Sequence, residues 1–271
     1  MIAIQGGGDE DVLGRTSGAF EVAAVSVRDP QKDVCQDAAL VVDLGPMGLV
    51  ACAIDGMGGM MHGREAARVA MEAFEQRLRV ISPDESCRDA IVESFERAHE
   101  EVRSRCPGGG ATVVCAIVTE AWIQTLHAGD AEALVVDQRG ELRYRTTAHS
   151  PVGYAMNAGL LGEEDALVHA ERHLVSNGLG VEGMAVHVGP RIPFGENDTL
   201  VVMTDGVTDN AREAEIVEAL RRGKLLRVTE ELLGLCRDRM MQSMVDVSEE
   251  RTIGKPDDLT LITVRRATDP M

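Results

Sequence analysis

Between Ala111 and Thr146 the chain carries four short apolar or β-branched runs, "ATVVCAIV", "AWIQTLHA", "EALVVD" and "ELRYRT", separated only by glycine-containing or acidic turns. Connections this short join antiparallel neighbours, because a parallel pair needs a crossover of roughly a dozen residues. The earlier runs Phe20 to Val27, Ala38 to Leu44 and Leu49 to Ile54 follow one another in the same way, through "RDPQKDVCQD" and "GPMG". They predict successive antiparallel strands.

Helical spacing replaces this pattern after Gly63, where Ala66, Val69, Ala70, Ala73, Phe74 and Leu78 share one face and Glu and Arg fill the other. "SPDE" at 82–85 reads as a capping box with Pro at the first helical position, opening a second helix along Cys87, Ile91, Phe95, Ala98 and Val102. Strand signals return at "MAVHV" (184–188) and "TLVVMT" (199–204), helices follow near 212–222 and 229–244, and "LTLITV" (259–264) closes the pattern as a strand. The order lacks the alternation of a doubly wound parallel sheet and predicts one α+β domain of antiparallel sheets covered by helices. Residues 1–17, rich in glycine and acid, read as a flexible or loosely docked arm, and "GGG" at 6–8 lacks the Lys and flanking elements of a phosphate loop. The domain spans 18–271, and the stretch 150–183, which has no periodicity, reads as a flap-like insertion.

Composition narrows the partners. A net charge of -18 repels phosphate backbones, which argues against nucleic acid, and no apolar stretch approaches the roughly 20 residues of a bilayer span. Six cysteines, at 35, 52, 87, 106, 115 and 236, have no paired metal spacing and read as buried thiols of a reducing, cytoplasmic compartment.

The chemistry lies in carboxylates at strand ends. Asp55 follows "LVACAI", Asp205 follows "TLVVMT", Asp130 follows "WIQTLHAG", Asp257 precedes "LTLITV", and Asp37 precedes "AALVVDL". An Asp beside Gly commonly bonds its own turn, but Asp55 and Asp205 both occur as "DG" after a fully apolar run, where glycine allows backbone to approach an ion or ligand. Oxygen ligands of this kind suit Mg or Mn.

These residues fall in ordered motifs: "CQDA" (35–38), "DGMGG" (55–59), "GAT" (110–112), "AGDA" (128–131), "HS" (149–150), "RHLVSNGLG" (172–180), "MTDGVTD" (203–209) and "DDLTLI" (257–262). As a set, from about residue 20 to 266, they resemble the metal-dependent serine/threonine phosphatases of the protein phosphatase 2C (PPM) family in its bacterial form. The resemblance implies a four-layer α-β-β-α sandwich with a binuclear Mn or Mg centre, and phosphorylated protein substrates of a serine/threonine kinase. By motif position, Asp55 would bridge both ions, the Gly56 carbonyl would bind one, and Asp205 and Asp257 would complete the other. Asp37 would lie behind them, Gln36 would reach an ion through water, and Asp130 with Asp205 would serve a third ion.

The chain also departs from the family pattern. Lys32 stands where an Arg usually grips the substrate phosphate, so that binding would rest on a point charge shared with Arg28. Met57 takes the place of a candidate general-acid His, and His62 reads as an ordinary loop residue. Ala131 and Ala148 replace Ser and Asp, Asp258 replaces Asn, and Met60 and Met61 read as loop packing or substrate-facing surface. Together, Lys32, Ala131 and Ala148 motivate an alternative, a phosphatase-like regulatory or phosphoprotein-binding module with little turnover. A hydrolase of small phosphate esters is a third reading of the same centre.

Overall fold

The computed structural model describes residues 1–5, 12–58, 60–245 and 253–267; the "GGG" motif and Gly59 lie outside them, as do the side chains of Met60 and Met61. Twelve strands among these residues form two six-stranded antiparallel sheets. The first runs in the order β1 (Ile2–Gln5), β4 (Ala38–Asp43), β5 (Leu49–Met57), β6 (Gly110–Val118), β7 (Trp122–Ala128) and β10 (His187–Pro193). The second runs β2 (Leu13–Ser17), β3 (Phe20–Val27), β12 (Leu259–Arg266), β11 (Thr199–Met203), β8 (Glu132–Val136) and β9 (Leu142–Arg145).

Alternation along each strand divides the apolar residues between two cores. On β4 and β5, Ala39, Val41, Leu49, Ala51 and Ala53 face the second sheet, where they meet Leu200, Val202, Ile262 and Val264. Their neighbours Leu40, Val50, Cys52 and Ile54 face the helices α1 (Met60–Arg79) and α2 (Cys87–Arg105). Phe74 of α1 meets Phe95 of α2 edge-on, with ring centroids 5.0 Å apart. On the far side, Val201, Met203 and Leu261 pack against α6 (Glu213–Leu220) and α7 (Leu225–Val245). Burial on both faces explains why the central strands read as continuous apolar runs. The result is the expected four-layer sandwich.

Several local expectations change. Within the stretch read as an arm, the described residues Ile2–Gln5 and Leu13–Ser17 form strands: β1 pairs with β4 and β2 with β3, adding an edge strand to each sheet. The "SPDE" segment forms a turn, and α2 starts later, with Ser86 Oγ accepting the Asp89 N–H at 3.3 Å. The strand expected at 184–188 begins at His187 and continues to Pro193, with a bulge between Val188 and Arg191 against β7. Within 150–183 lie two short helices, α3 (Pro151–Asn157) and α4 (Glu163–Leu167). All six cysteines are free thiols. No described helix is long and apolar enough to cross a membrane.

Candidate metal centre

The first sheet delivers three of the expected aspartates to one end of the sandwich. Asp55 projects from the C-terminal part of β5, opposite Thr112 of β6. A Cβ on the following residue, Gly56, would lie 2.1 Å from the Gly63 carbonyl oxygen, so only glycine lets the strand end press against the start of α1. The chain then turns at Gly58, whose φ is +95°. Asp37 lies just before β4 and is buried; its Oδ2 accepts the Thr204 hydroxyl at 2.8 Å, while Oδ1 has no hydrogen-bond partner among the described residues.

Asp130 occupies the turn after β7, and that turn is held by His149. The Gly129 N–H donates to His149 Nδ1 at 3.1 Å, and the His149 N–H donates to the Gly129 carbonyl at 2.9 Å. His149 in turn stacks on His127, with ring centroids 4.3 Å apart, and burial pushes His127 down to about 4, leaving it a neutral buttress near neutral pH. Asp130 itself is buried, with Oδ1 unpartnered among the described residues.

The second sheet supplies the other side. Thr204 stands immediately before the short helix α5 (Asp205–Thr208) that follows β11, which brings Asp205 and Asp209 to the centre one turn apart. Asp257 arrives on the segment leading into β12. Oxygens of Asp205, Asp209 and Asp257 lie within 4.8 Å of one another. Asp258 acts as a brace: its Oδ1 accepts the Asp29 N–H at 2.8 Å, and its Oδ2 accepts the Gln36 N–H at 3.0 Å and the Lys32 ammonium at 3.1 Å.

Crowding of carboxylates away from water shapes their titration. Desolvation and then the neighbouring Asp257 charge raise Asp55 to about 6; desolvation and then Asp55 raise Asp130 to about 8. Asp37 rises well above the carboxylate range through burial and the charges of Asp55 and Asp258. Asp205 also rises, chiefly by desolvation, although Lys255 opposes it. Desolvation would raise Asp257 too, but the ammonium groups of Lys255 and Lys32 outweigh it and hold its carboxyl below the usual value.

Lys255 and Asp209 were not among the expected site residues. Lys255 Nζ stands 2.8 Å from Asp257 Oδ2, 2.9 Å from Asp209 Oδ2 and 3.4 Å from Asp205 Oδ2. The four-residue spacing of Asp205 and Asp209 could have signalled one helical face. Nothing in the spacing of "GKPDD" points Lys255 inward. Lys32 reaches the centre as expected, but its Nζ engages Asp257 Oδ1 at 3.0 Å, and exposed Arg28 donates to the Asp33 carbonyl at 3.1 Å. His62 is exposed, but it lies in the first turn of α1 rather than in the loop the sequence suggested.

The donor set fits hard divalent cations: convergent carboxylates, two of them with a buried, unpartnered oxygen. The sequence model of the family Protein phosphatase 2C matches residues 29–247. The chain belongs to the protein phosphatase 2C family.

Among its relatives, serine/threonine phosphatase stp of Listeria monocytogenes is 27% identical over 233 residues, covering 83% of this chain and 86% of that protein. The serine/threonine phosphatase of S. agalactiae has the same fold, with a TM-score of 0.77 and 23% identity over 92% of this chain and all of that one. The catalytic domain of the serine threonine protein phosphatase PstP, solved in complex with two manganese ions, aligns with a TM-score of 0.72 and 18% identity over 91% of this chain and 97% of that one. This protein phosphatase 2C member is a metal-dependent protein serine/threonine phosphatase that acts on phosphoproteins.

Proposed function

We propose that the phosphatase hydrolyses phosphoserine and phosphothreonine at the aspartate cluster, with Asp55 bridging two Mn or Mg ions. In this reading the Gly56 carbonyl, Asp205 and Asp257 complete the ligand set, and Asp130 with Asp205 serves a third ion. Held there, the ions would supply a water of lowered pKa for in-line attack and positive charge opposite the phosphoryl group. The observation that carries the proposal is the convergence of oxygens from Asp205, Asp209 and Asp257 beside Asp55 and Asp130, from segments far apart in the chain.

The remaining side chains position this set. Thr204 orients Asp37, Asp258 ties down the backbone at Gln36, and His149 secures the Asp130 turn. Lys32 and Arg28 supply positive charge for the substrate phosphate, Lys32 from its place beside Asp257. Gln36 would contribute through water.

A cavity of about 310 Å³ adjoins Asp130, Asp205 and Asp209 and is walled by Val152, Met156 and Leu167 of the 150–183 segment. This placement supports a role for that segment, as a flap, in choosing phosphoprotein substrates. The activity and the free thiols support a role opposing a serine/threonine kinase in the cytoplasm.

The test is hydrolysis of a phosphothreonine peptide and of p-nitrophenyl phosphate, with and without Mn2+, by wild type and Asp205→Ala. Mn-dependent turnover of the peptide that is lost in the variant is expected. A folded protein without Mn-dependent turnover would refute the reading, and turnover of the small ester alone would reassign the substrate. The presence of all the expected carboxylates weighs against a merely binding module.

A further inference from the structure

Lys255 stands where the acidic centre is densest. Its ammonium contacts Asp257 and Asp209 at 2.8 and 2.9 Å and Asp205 at 3.4 Å, so one cation is shared by three carboxylates. Lys32 is differently placed: it contacts Asp257 from the other oxygen, at 3.0 Å, and is otherwise engaged by Asp258 at 3.1 Å and Asp29 at 3.8 Å. Two of the three carboxylates at Lys255, Asp205 and Asp257, are assigned above to a single ion.

We propose that Lys255 is a built-in competitor for that ion: its ammonium neutralises Asp205, Asp209 and Asp257 in the unloaded enzyme and must leave them before the second metal is bound. The inference rests on the phosphatase reading of the centre. A divalent cation takes carboxylate oxygens at roughly 2.0–2.1 Å for Mg. An ammonium held 2.8–3.4 Å from the same oxygens would be a like charge only a few ångströms from such an ion. The two cations therefore exclude each other, and a lysine has the flexible four-carbon stem needed to swing away.

The arrangement makes loading unequal. Asp55, on the first sheet, forms no ion pair with Lys or Arg among the described residues, so an ion held by Asp55 and the Gly56 carbonyl would exchange with no ammonium; Lys255 pairs instead with Asp205, Asp209 and Asp257. Entry between Asp205 and Asp257 requires exchange with Lys255. The enzyme would thus bind its ions in a tight and a weak step, with Lys255 setting the weak one. It also gains a neutralised acidic pocket while unloaded.

Calorimetric titration of EDTA-stripped protein with Mn2+ tests this without recourse to turnover. Wild type is expected to show two classes of site. Lys255→Met is expected to tighten the weaker class by roughly 5- to 150-fold, the usual span of coupling between linked sites. Lys255→Arg, which keeps the charge, should stay within about threefold of wild type, and Lys32→Met, whose ammonium touches only one of the three carboxylates, should tighten the weaker class less than Lys255→Met does. In thermal melts Lys255→Met should be less stable than wild type in EDTA and gain more from saturating Mn2+. Unchanged or weaker Mn2+ binding by Lys255→Met, with its circular dichroism intact, would overturn the inference and leave the metal centre standing. Equal tightening by Lys32→Met would also overturn it, by reducing the effect to general charge. Absence of Mn2+ binding by wild type would remove the metal-centre reading and this inference together.

Discussion

The aspartates that the two sheets bring to the centre are chemically alike and physically unlike. Asp37, Asp55 and Asp130, delivered by the first sheet, form no ion pair with Lys or Arg among the described residues, and each is pushed upward by desolvation and neighbouring carboxylates. Asp257, delivered by the second sheet, is clamped between Lys32 on one oxygen and Lys255 on the other and is pushed downward. Asp205 lies between these cases, raised by desolvation yet touched by Lys255. A carboxylate's readiness to hold an ion is therefore set by what surrounds it. One half awaits positive charge, and the other already holds some.

Substitution at Asp55 should strike this contrast hardest. Asp55→Asn is expected to lower kcat/KM by about 10³-fold or more, since it removes the proposed bridge on which the charge stabilisation depends. Steady-state kinetics with a phosphothreonine peptide would measure it; a loss under tenfold would move the bridge elsewhere. Asp37→Asn acts behind the ligands and should weaken Mn2+ binding by roughly 10- to 100-fold, as read by calorimetry. If affinity holds, Asp37 has no orienting role on the first-sheet side.

Thr204 ties the halves together, because its hydroxyl donates to Asp37 Oδ2 and accepts the Thr260 N–H at 2.9 Å. Thr204→Val strands both partners and should cost about 1–3 kcal/mol in denaturant unfolding. No change would mean that water or a shift of Asp37 replaces the hydroxyl.

A smaller effect separates the halves by pH. Asp130 near 8 and Asp55 near 6 lie above their ordinary value of 3.8, so the folded, metal-stripped chain binds more protons than the unfolded chain between these limits. The stability these groups favour is fully present below about 4 and is lost as pH rises through about 6 and 8. In EDTA the protein should melt a few degrees lower at about pH 8.5 than at about pH 6, at roughly 2–4 °C per kcal/mol for a chain of this size. Asp130→Asn should flatten that slope. An unchanged slope would assign it to the net charge of -18 rather than to the centre.

Legibility in the sequence followed the range of the forces involved. Strand β3 occupies the run Phe20–Val27 as read, because its apolar residues are buried on both faces and local composition carries the signal. Strand β10 begins later than "MAVHV" suggests, because its extent is set by pairing with β7 and includes a bulge. Helices α3 and α4, of seven and five residues, are too short to establish a helical period in 150–183. The arm became two edge strands because β3 and β4 offered open hydrogen-bonding edges, which the composition of residues 1–17 does not reveal.

The five aspartates were legible by another route, as the ends of apolar runs, where a strand must leave the core. Their grouping needed the fold or a family resemblance. By itself the sequence determined the alternation of short strands and helix pairs, hence antiparallel sheets covered by helices, and the delivery of aspartates to strand ends. Only the tertiary structure decided which carboxylates share a lysine, which have an unpartnered oxygen, and that Asp258 binds the Asp29 backbone across 229 residues of chain. Strand formation depends on nearest neighbours along the backbone, whereas Coulomb energy depends on distance through space, and only folding sets that distance.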